Sequence, residues 1–236
     1  MSPKRAGRGR RGTERGRRVA LFGGTFDPIH LGHLAVARAA QRRFDLDQVY
    51  FIPVGYPPHK PASDLPPFTH RFAMVALACA GHPNFVASLA ECGGNGAGQH
   101  VCYSVDTVRQ FREEFREPGD QLYFLLGADS FLDLRAWKDY DTLLDLCDFV
   151  VASRPGFRMD ALRQVIPPGL LTPPTAGAAA DRRAIALRRT TVFLLDTVES
   201  RVSATEVRRR LERGKTIDGL VPPRVEEYIK KQALYR

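Results

Sequence analysis

Val19-Ala20-Leu21-Phe22-Gly23-Gly24-Thr25-Phe26-Asp27-Pro28-Ile29-His30-Leu31-Gly32-His33 runs from an apolar segment through a glycine pair to two histidines. Val19–Phe22 reads as a buried strand, and Leu34–Phe44 reads as a helix. A glycine pair at a strand end lets backbone amides approach a ligand closely. The helix start beyond it offers free N–H groups and the positive end of a dipole to an anion. His30 and His33 can point the same way there, and Gly32 keeps the space between them open. The segment is read as a phosphate site with two proton-bearing or cationic side chains aimed into it. Two plainer readings are a simple turn and a metal pair. Zinc needs three or four ligands, and no Cys or His cluster elsewhere has ligand spacing, so no metal site is assigned. Within this segment there is neither a Gly-Lys-Ser/Thr ending nor a G-x-G-x-x-G turn, the marks of the two common phosphate loops.

The rest of the chain supplies the setting. Strand-like runs at Val49–Val54, Phe85–Leu89, Leu122–Leu126, Phe149–Ala152 and Thr191–Leu195 alternate with helical patterns at Phe68–Ala80, Ser104–Phe115 and Phe131–Cys147. Two further helices close the chain. Alternation of this kind predicts an α/β fold, a doubly wound parallel sheet covered by helices on both faces. Ligands in such sheets sit outside the carboxyl ends of the strands, at the point where strand order reverses. The segments singled out here fall just after strand ends. Gly93–Gly98 lacks a following helix start and is read as a flexible insertion, and residues 167–180, rich in Pro and Ala, as an irregular excursion.

With 236 residues, 44% of them hydrophobic, the chain can bury a full core. No apolar run approaches the roughly 18 to 20 residues that span a bilayer, and no apolar region follows the N-terminal charges as in a secretory signal. Cys79, Cys92, Cys102 and Cys147 lack paired spacing and read as reduced thiols of a cytoplasmic protein. The net charge of +9 is unevenly spread: residues 1–18 carry +7 of it. Residues 1–17 are expected to be a disordered basic extension and 18–236 the folded domain. The extension could touch nucleic acid or anionic lipid electrostatically, or be a solvated tail. No specific nucleic-acid partner and no membrane are expected, and a homo-oligomer is left open.

Near the end of the chain, Ser203 with Glu206 three residues on forms a capping box, so a helix is expected to start at Ser203. Thr205 then falls in its first turn and Arg208 about one turn later. A hydroxyl, open amides and a guanidinium converging there would suit a polyphosphate; a plain capped surface helix is the alternative.

The H-x-G-H form closely resembles the signature of the nucleotidylyltransferase superfamily, which also carries an S-S/T-x-x-R helix start in the second place, with Ala204 here replacing one of its hydroxyls. Four more segments resemble bacterial nicotinate-nucleotide adenylyltransferases: Pro57-Pro58-His59-Lys60, Gly127-Ala128-Asp129-Ser130 followed by Trp137, Arg154-Pro155-Gly156, and Val221–Ile229 with Leu234-Tyr235. The similarity runs from about residue 19 to 235. It implies a Rossmann-like enzyme that makes nicotinate adenine dinucleotide from ATP and nicotinate mononucleotide, with Mg²⁺ carried by the ATP phosphates. Residue by residue, it implies phosphate chemistry for His30, His33 and Arg208. ATP would be bound by Gly23, Gly24, Thr25, Phe26, Gly127, Asp129, Arg154, Ser203 and Thr205. The mononucleotide would be bound by His59 and Lys60 at its phosphate, Trp137 stacked on the pyridine ring, and Tyr103, Ser104 and Lys138 toward the carboxylate. Lys138 stands where relatives often have Tyr. A pantetheine-phosphate adenylyltransferase or cytidylyltransferase of the same fold, and a non-catalytic nucleotide or RNA binder, are the competing readings.

Overall fold

A computed structural model of the chain describes residues 15–55, 65–92, 102–153, 156–172, 183–196 and 202–235. The expectations for the Gly93–Gly98 insertion, for His59, Lys60 and Arg154, and for most of the basic extension lie outside the described residues.

Among the described residues seven strands form one sheet: β1 (Arg18–Gly24), β2 (Gln48–Pro53), β3 (Phe85–Ala87), β4 (Gln121–Gly127), β5 (Asp148–Ala152), β6 (Ala184–Ala186) and β7 (Thr191–Leu195). Their order is β3-β2-β1-β4-β5-β7-β6, and only the β6–β7 pair is antiparallel. Strand order reverses between β1 and β4, so their carboxyl ends open a crevice there. Around the sheet lie α1 (Leu31–Phe44), α2 (Phe68–Cys79), α3 (Ser104–Glu114), α4 (Ala128–Leu132), α5 (Tyr140–Leu146), α6 (Met159–Val165), α7 (Ala204–Glu212) and α8 (Pro223–Lys231). None of the described helices is long and apolar enough to cross a membrane.

The central strands are apolar throughout because both faces are covered. Along β4, Leu122, Phe124 and Leu126 enter one core layer with Val105, Val108 and Phe111 of α3, whereas Tyr123 and Leu125 enter the other with Ala37 of α1, Met74 of α2 and Val225 of α8. Period-two alternation in a strand thus feeds two hydrophobic layers at once.

Several expectations need correction. Helix α1 begins at Leu31, three residues before the expected start, so His33 belongs to its first turn and His30, in extended backbone, caps it. The expected helix Phe131–Cys147 is broken into α4, a 3-10 turn at Leu134–Ala136 and α5, with Trp137 extended between them and Asp139 in left-handed backbone (φ 48°). Aspartate tolerates that conformation. The pieces still look like one helix in sequence because Phe131, Leu134, Leu143 and Leu144 all face the same core layer. Helix α6 and strand β6 were not anticipated; β6, short and at the sheet edge, lies beyond the 167–180 region read as irregular. Cys79, Cys92 and Cys147 are free thiols. At the end of the basic extension, Arg17 donates to Asp120 (2.6 Å) and lies 4.5 Å from the Phe115 ring centre, while Arg15 pairs with Asp47 at 3.1 Å.

Candidate active site

The loop after β1 is shaped by Phe26, a bulky residue in left-handed backbone (φ 47°). Such a conformation is strained for an aromatic residue and persists only where surroundings hold it. Here the ring is 2% exposed and packs edge-on against Phe22 at 5.6 Å and His33 at 5.1 Å. Gly24 fits closely beneath it: a Cβ there would sit 3.2 Å from the Phe26 ring, so the ring would have to give by a few tenths of an ångström. A turn built this way drives His30 and His33 together. Their rings stack with centres 3.7 Å apart, and the His30 backbone N–H donates to His33 Nδ1 at 3.2 Å. That bond leaves the proton of a neutral His33 on Nε2. Burial pushes His30 down to about 4, and burial together with its histidine neighbour pushes His33 well below the usual imidazole range. The pair is therefore neutral at pH 7, a set of hydrogen-bond donors and not the cations that the sequence left open.

A cavity of about 800 Å³ opens over these rings at the β1–β4 switch point. Of the residues expected to meet ATP, Gly23, Gly24, Thr25, Phe26, His30, His33, Gly127, Asp129, Thr205 and Arg208 all line it. Thr205 and Arg208 reach it from α7, whose start is where the capping box placed it: Ser203 caps the helix, its hydroxyl accepting the Glu206 N–H at 3.2 Å, and does not itself line the cavity. The α1 start offers fewer open amides than expected, since the Leu31 N–H donates to Leu220 O at 2.9 Å. The Gly32 amide, on the cavity wall, finds no acceptor among the described residues.

The residues expected to meet the mononucleotide form a second group. Tyr103 caps α3, Ser104 is its first residue, and the Lys138 ammonium lies 4.3 Å from the Tyr103 ring centre and 3.3 Å from Asp106. Trp137 packs edge-on against Phe124 at 6.2 Å. None of the four lines the large cavity. Phe124 stands between the two groups, its ring within 3.4 Å of where a Cβ on Gly23 would be.

Four polar residues were missed by sequence reasoning. Arg71 is 2% exposed, and its guanidinium donates to four carbonyls: Val54 (2.7 Å), Thr25 (2.9 Å), Gly55 (3.1 Å) and Pro66 (3.2 Å). It ties the loop after β1 to the loop after β2. Its signal was an arginine on the apolar face of the Phe68–Ala80 pattern, in line with Met74, Val75 and Ala78. Glu91, 5% exposed, accepts from Thr107 Oγ1 at 3.0 Å and is pushed up to about 7 by burial. Its carbonyl lies where a Cβ on Gly55 would be, at 2.1 Å, so only glycine fits there. Asp27 sat inside the quoted motif without a role, and Tyr235 inside a quoted terminal segment. In the fold Tyr235 Oη donates to Asp27 Oδ1 at 2.8 Å, and Arg208 Nη1 donates to the Asp27 carbonyl at 2.6 Å.

Comparison with known proteins agrees with this geometry. A cytidylyltransferase-like family model matches residues 21–210. A protein of Moorella thermoacetica named "probable nicotinate-nucleotide adenylyltransferase" is 41% identical over 219 residues, covering 93% of this chain and 92% of that protein. One of Geobacter metallireducens with the same name is 38% identical over 218 residues, covering 92% and 98%. The nicotinic acid mononucleotide adenylyltransferase of Plasmodium falciparum, solved in complex with NaAD, shares the fold with a TM-score of 0.65 at 17% identity, covering 93% of this chain and 97% of that one. The chain belongs to the nicotinate-nucleotide adenylyltransferase family, among the cytidylyltransferase-like proteins.

Proposed function

We propose that this protein transfers the adenylyl group of ATP to nicotinate mononucleotide, forming nicotinate adenine dinucleotide and pyrophosphate in NAD biosynthesis. The observation that carries the reading is the convergence, in one switch-point cavity, of His30 and His33 after β1 with Thr205 and Arg208 from α7. An oxygen of the mononucleotide 5′-phosphate attacks the α-phosphorus of ATP in line, the bond to the bridging α–β oxygen breaks, and pyrophosphate leaves. No protein nucleophile is needed, so rate comes from positioning and charge stabilisation. His30 and His33 donate, as neutral imidazoles, to oxygens that gain charge at the α-phosphorus. Thr205 and Arg208 hold the departing β and γ phosphates, and the glycines of the β1 loop let backbone amides close on the chain of phosphates. Gly127 and Asp129 meet the nucleoside side of ATP.

On the acceptor side, His59 and Lys60 take the monophosphate and Trp137 stacks on the pyridine ring. Tyr103, Ser104 and Lys138 receive its carboxylate. The Lys138 ammonium beside the start of α3 supports that assignment, since a cation and a helix N-terminus both favour a carboxylate. Arg154 completes the ATP side.

Among the described residues no group of three or more His, Cys, Asp or Glu is arranged to hold a metal. Asp27 is engaged by Tyr235 and Arg208, which leaves Asp129 as the exposed carboxylate at the cavity. This donor set fits Mg²⁺ arriving on the ATP phosphates, with at most one protein oxygen added. When bound, Mg²⁺ supplies neutralising charge to the triphosphate. The free thiols suit the reducing cytoplasm. Chromatography and mass analysis of a reaction of ATP, Mg²⁺ and nicotinate mononucleotide test the reading: one dinucleotide should form per pyrophosphate. Hydrolysis of ATP to AMP without dinucleotide would overturn it.

A further inference from the structure

We propose that Asp27 and Tyr235 are positioning residues for Arg208: Asp27 holds one end of the guanidinium, and the Tyr235 hydroxyl keeps Asp27 from taking more of it. The inference rests on the reading that Arg208 binds the departing phosphates. Asp27 is 5% exposed, and a buried carboxylate must have its oxygens satisfied. Oδ1 accepts from Tyr235 Oη at 2.8 Å, and Oδ2 faces Arg208 Nη1 at 3.3 Å. The same Nη1 donates to the Asp27 carbonyl at 2.6 Å. Both contacts between Asp27 and Arg208 thus fall on a single nitrogen of Arg208, Nη1. Its Nε and Nη2 groups have no acceptor among the described residues, and the side chain lines the cavity. That edge is what a phosphate needs.

Carboxylate and guanidinium prefer a two-pronged pairing. With Oδ1 free, Asp27 could turn both oxygens to Arg208 and draw its free edge off the cavity. The tyrosine prevents that by occupying Oδ1. Its own placement is enforced: Ala233 (φ 52°) and Tyr235 (φ 63°) both take left-handed backbone, folding the segment after α8 back toward the β1 loop. Such non-glycine residues persist where surroundings hold them. Helix α8 is in turn fixed to α2, with Tyr228 Oη 2.9 Å from His70 Nδ1. Burial and Asp27 push the Tyr235 phenol far above its ordinary range, so it stays a neutral donor. The other cation near Asp27, Arg71 on α2, gives its hydrogen bonds to backbone carbonyls and does not compete.

The test is a double-mutant cycle with Tyr235→Phe and Arg208→Ala, read as kcat/KM for ATP, KM for the mononucleotide and, without any acceptor, ATP affinity by calorimetry. Phenylalanine keeps the packed ring and removes only the hydroxyl. Tyr235→Phe should weaken ATP use and binding about tenfold, the effect of one charge-assisted hydrogen bond, with the mononucleotide KM changed by less than about twofold. In the Arg208→Ala background it should have almost no effect. An equal loss in both backgrounds, or both KM values rising together, would overturn the positioning pair while leaving Arg208 its role. An Arg208→Ala protein with unchanged ATP affinity and turnover would remove the role of Arg208 and the inference with it.

Discussion

Replacing His33 by Ala removes one donor from the cavity proposed to hold the ATP phosphates, and its expected effect follows from the local geometry. Nδ1 of His33 accepts the His30 N–H at 3.2 Å, so the ring proton is on Nε2. With the ring held neutral by burial and by His30, its contribution is one oriented N–H and not a charge. Loss of one such donor to a transition state costs ~10²–10³ in kcat, or roughly 3–4 kcal/mol. The folded state also loses: the His30 amide is left without its acceptor, about 1–3 kcal/mol, and Phe26 loses a ring it packs against at 5.1 Å. The assay is pyrophosphate release at saturating ATP, Mg²⁺ and nicotinate mononucleotide, with a thermal melt beside it. kcat should fall by at least about a hundredfold, with the melt showing the variant still folded at the assay temperature. A neutral donor also keeps working as pH rises, so kcat of the parent protein should stay level from pH 7 to 9. A variant within about threefold of the parent kcat, or a parent rate falling tenfold per pH unit in that range, would refute the reasoning.

Two further substitutions test the supports of the site. Arg71→Met keeps most of the volume but leaves the carbonyls of Thr25, Val54, Gly55 and Pro66 without their shared donor; it should lower stability by about 3 kcal/mol or more, and a denaturant midpoint equal to that of the parent would contradict the clamp. Glu91 titrates near 7 in the fold, above its unfolded value, so its protonated form favours folding at acid pH and that contribution is lost as pH rises through about 7. Glu91→Gln, which stays neutral, should therefore gain stability relative to the parent on going from pH 5 to pH 8, on the order of 2–3 kcal/mol; urea melts at the two pH values showing no relative gain would rule this out.

Much of the fold could be read from local pattern. The central strands announce themselves because strands buried on both faces must be apolar throughout, and the α7 start because Ser203 and Glu206 carry a capping signal. Where reading failed, distant contacts decide the outcome. The break at Trp137–Asp139 is invisible in spacing that still suits one helix. The residues proposed for the phosphate side could be gathered from the sequence because they cluster in two short motifs, and the fold brings those motifs to one cavity. Asp27, Arg71, Glu91 and Tyr235 gain their meaning from partners 5 to 208 positions away, all but one of them 16 or more. A charge on an apolar helix face was the one hint available, at Arg71.

The central claim is tested most directly by the choice of acceptor. Purified protein is given ATP and Mg²⁺ with nicotinate mononucleotide, nicotinamide mononucleotide or phosphopantetheine, and kcat/KM for pyrophosphate release is compared across the three. The account predicts fast release with the nicotinate compound and much slower release with its amide, because Lys138 and the start of α3 favour a carboxylate. Preference for phosphopantetheine, or no release with any of the three from folded protein that binds ATP, would contradict it.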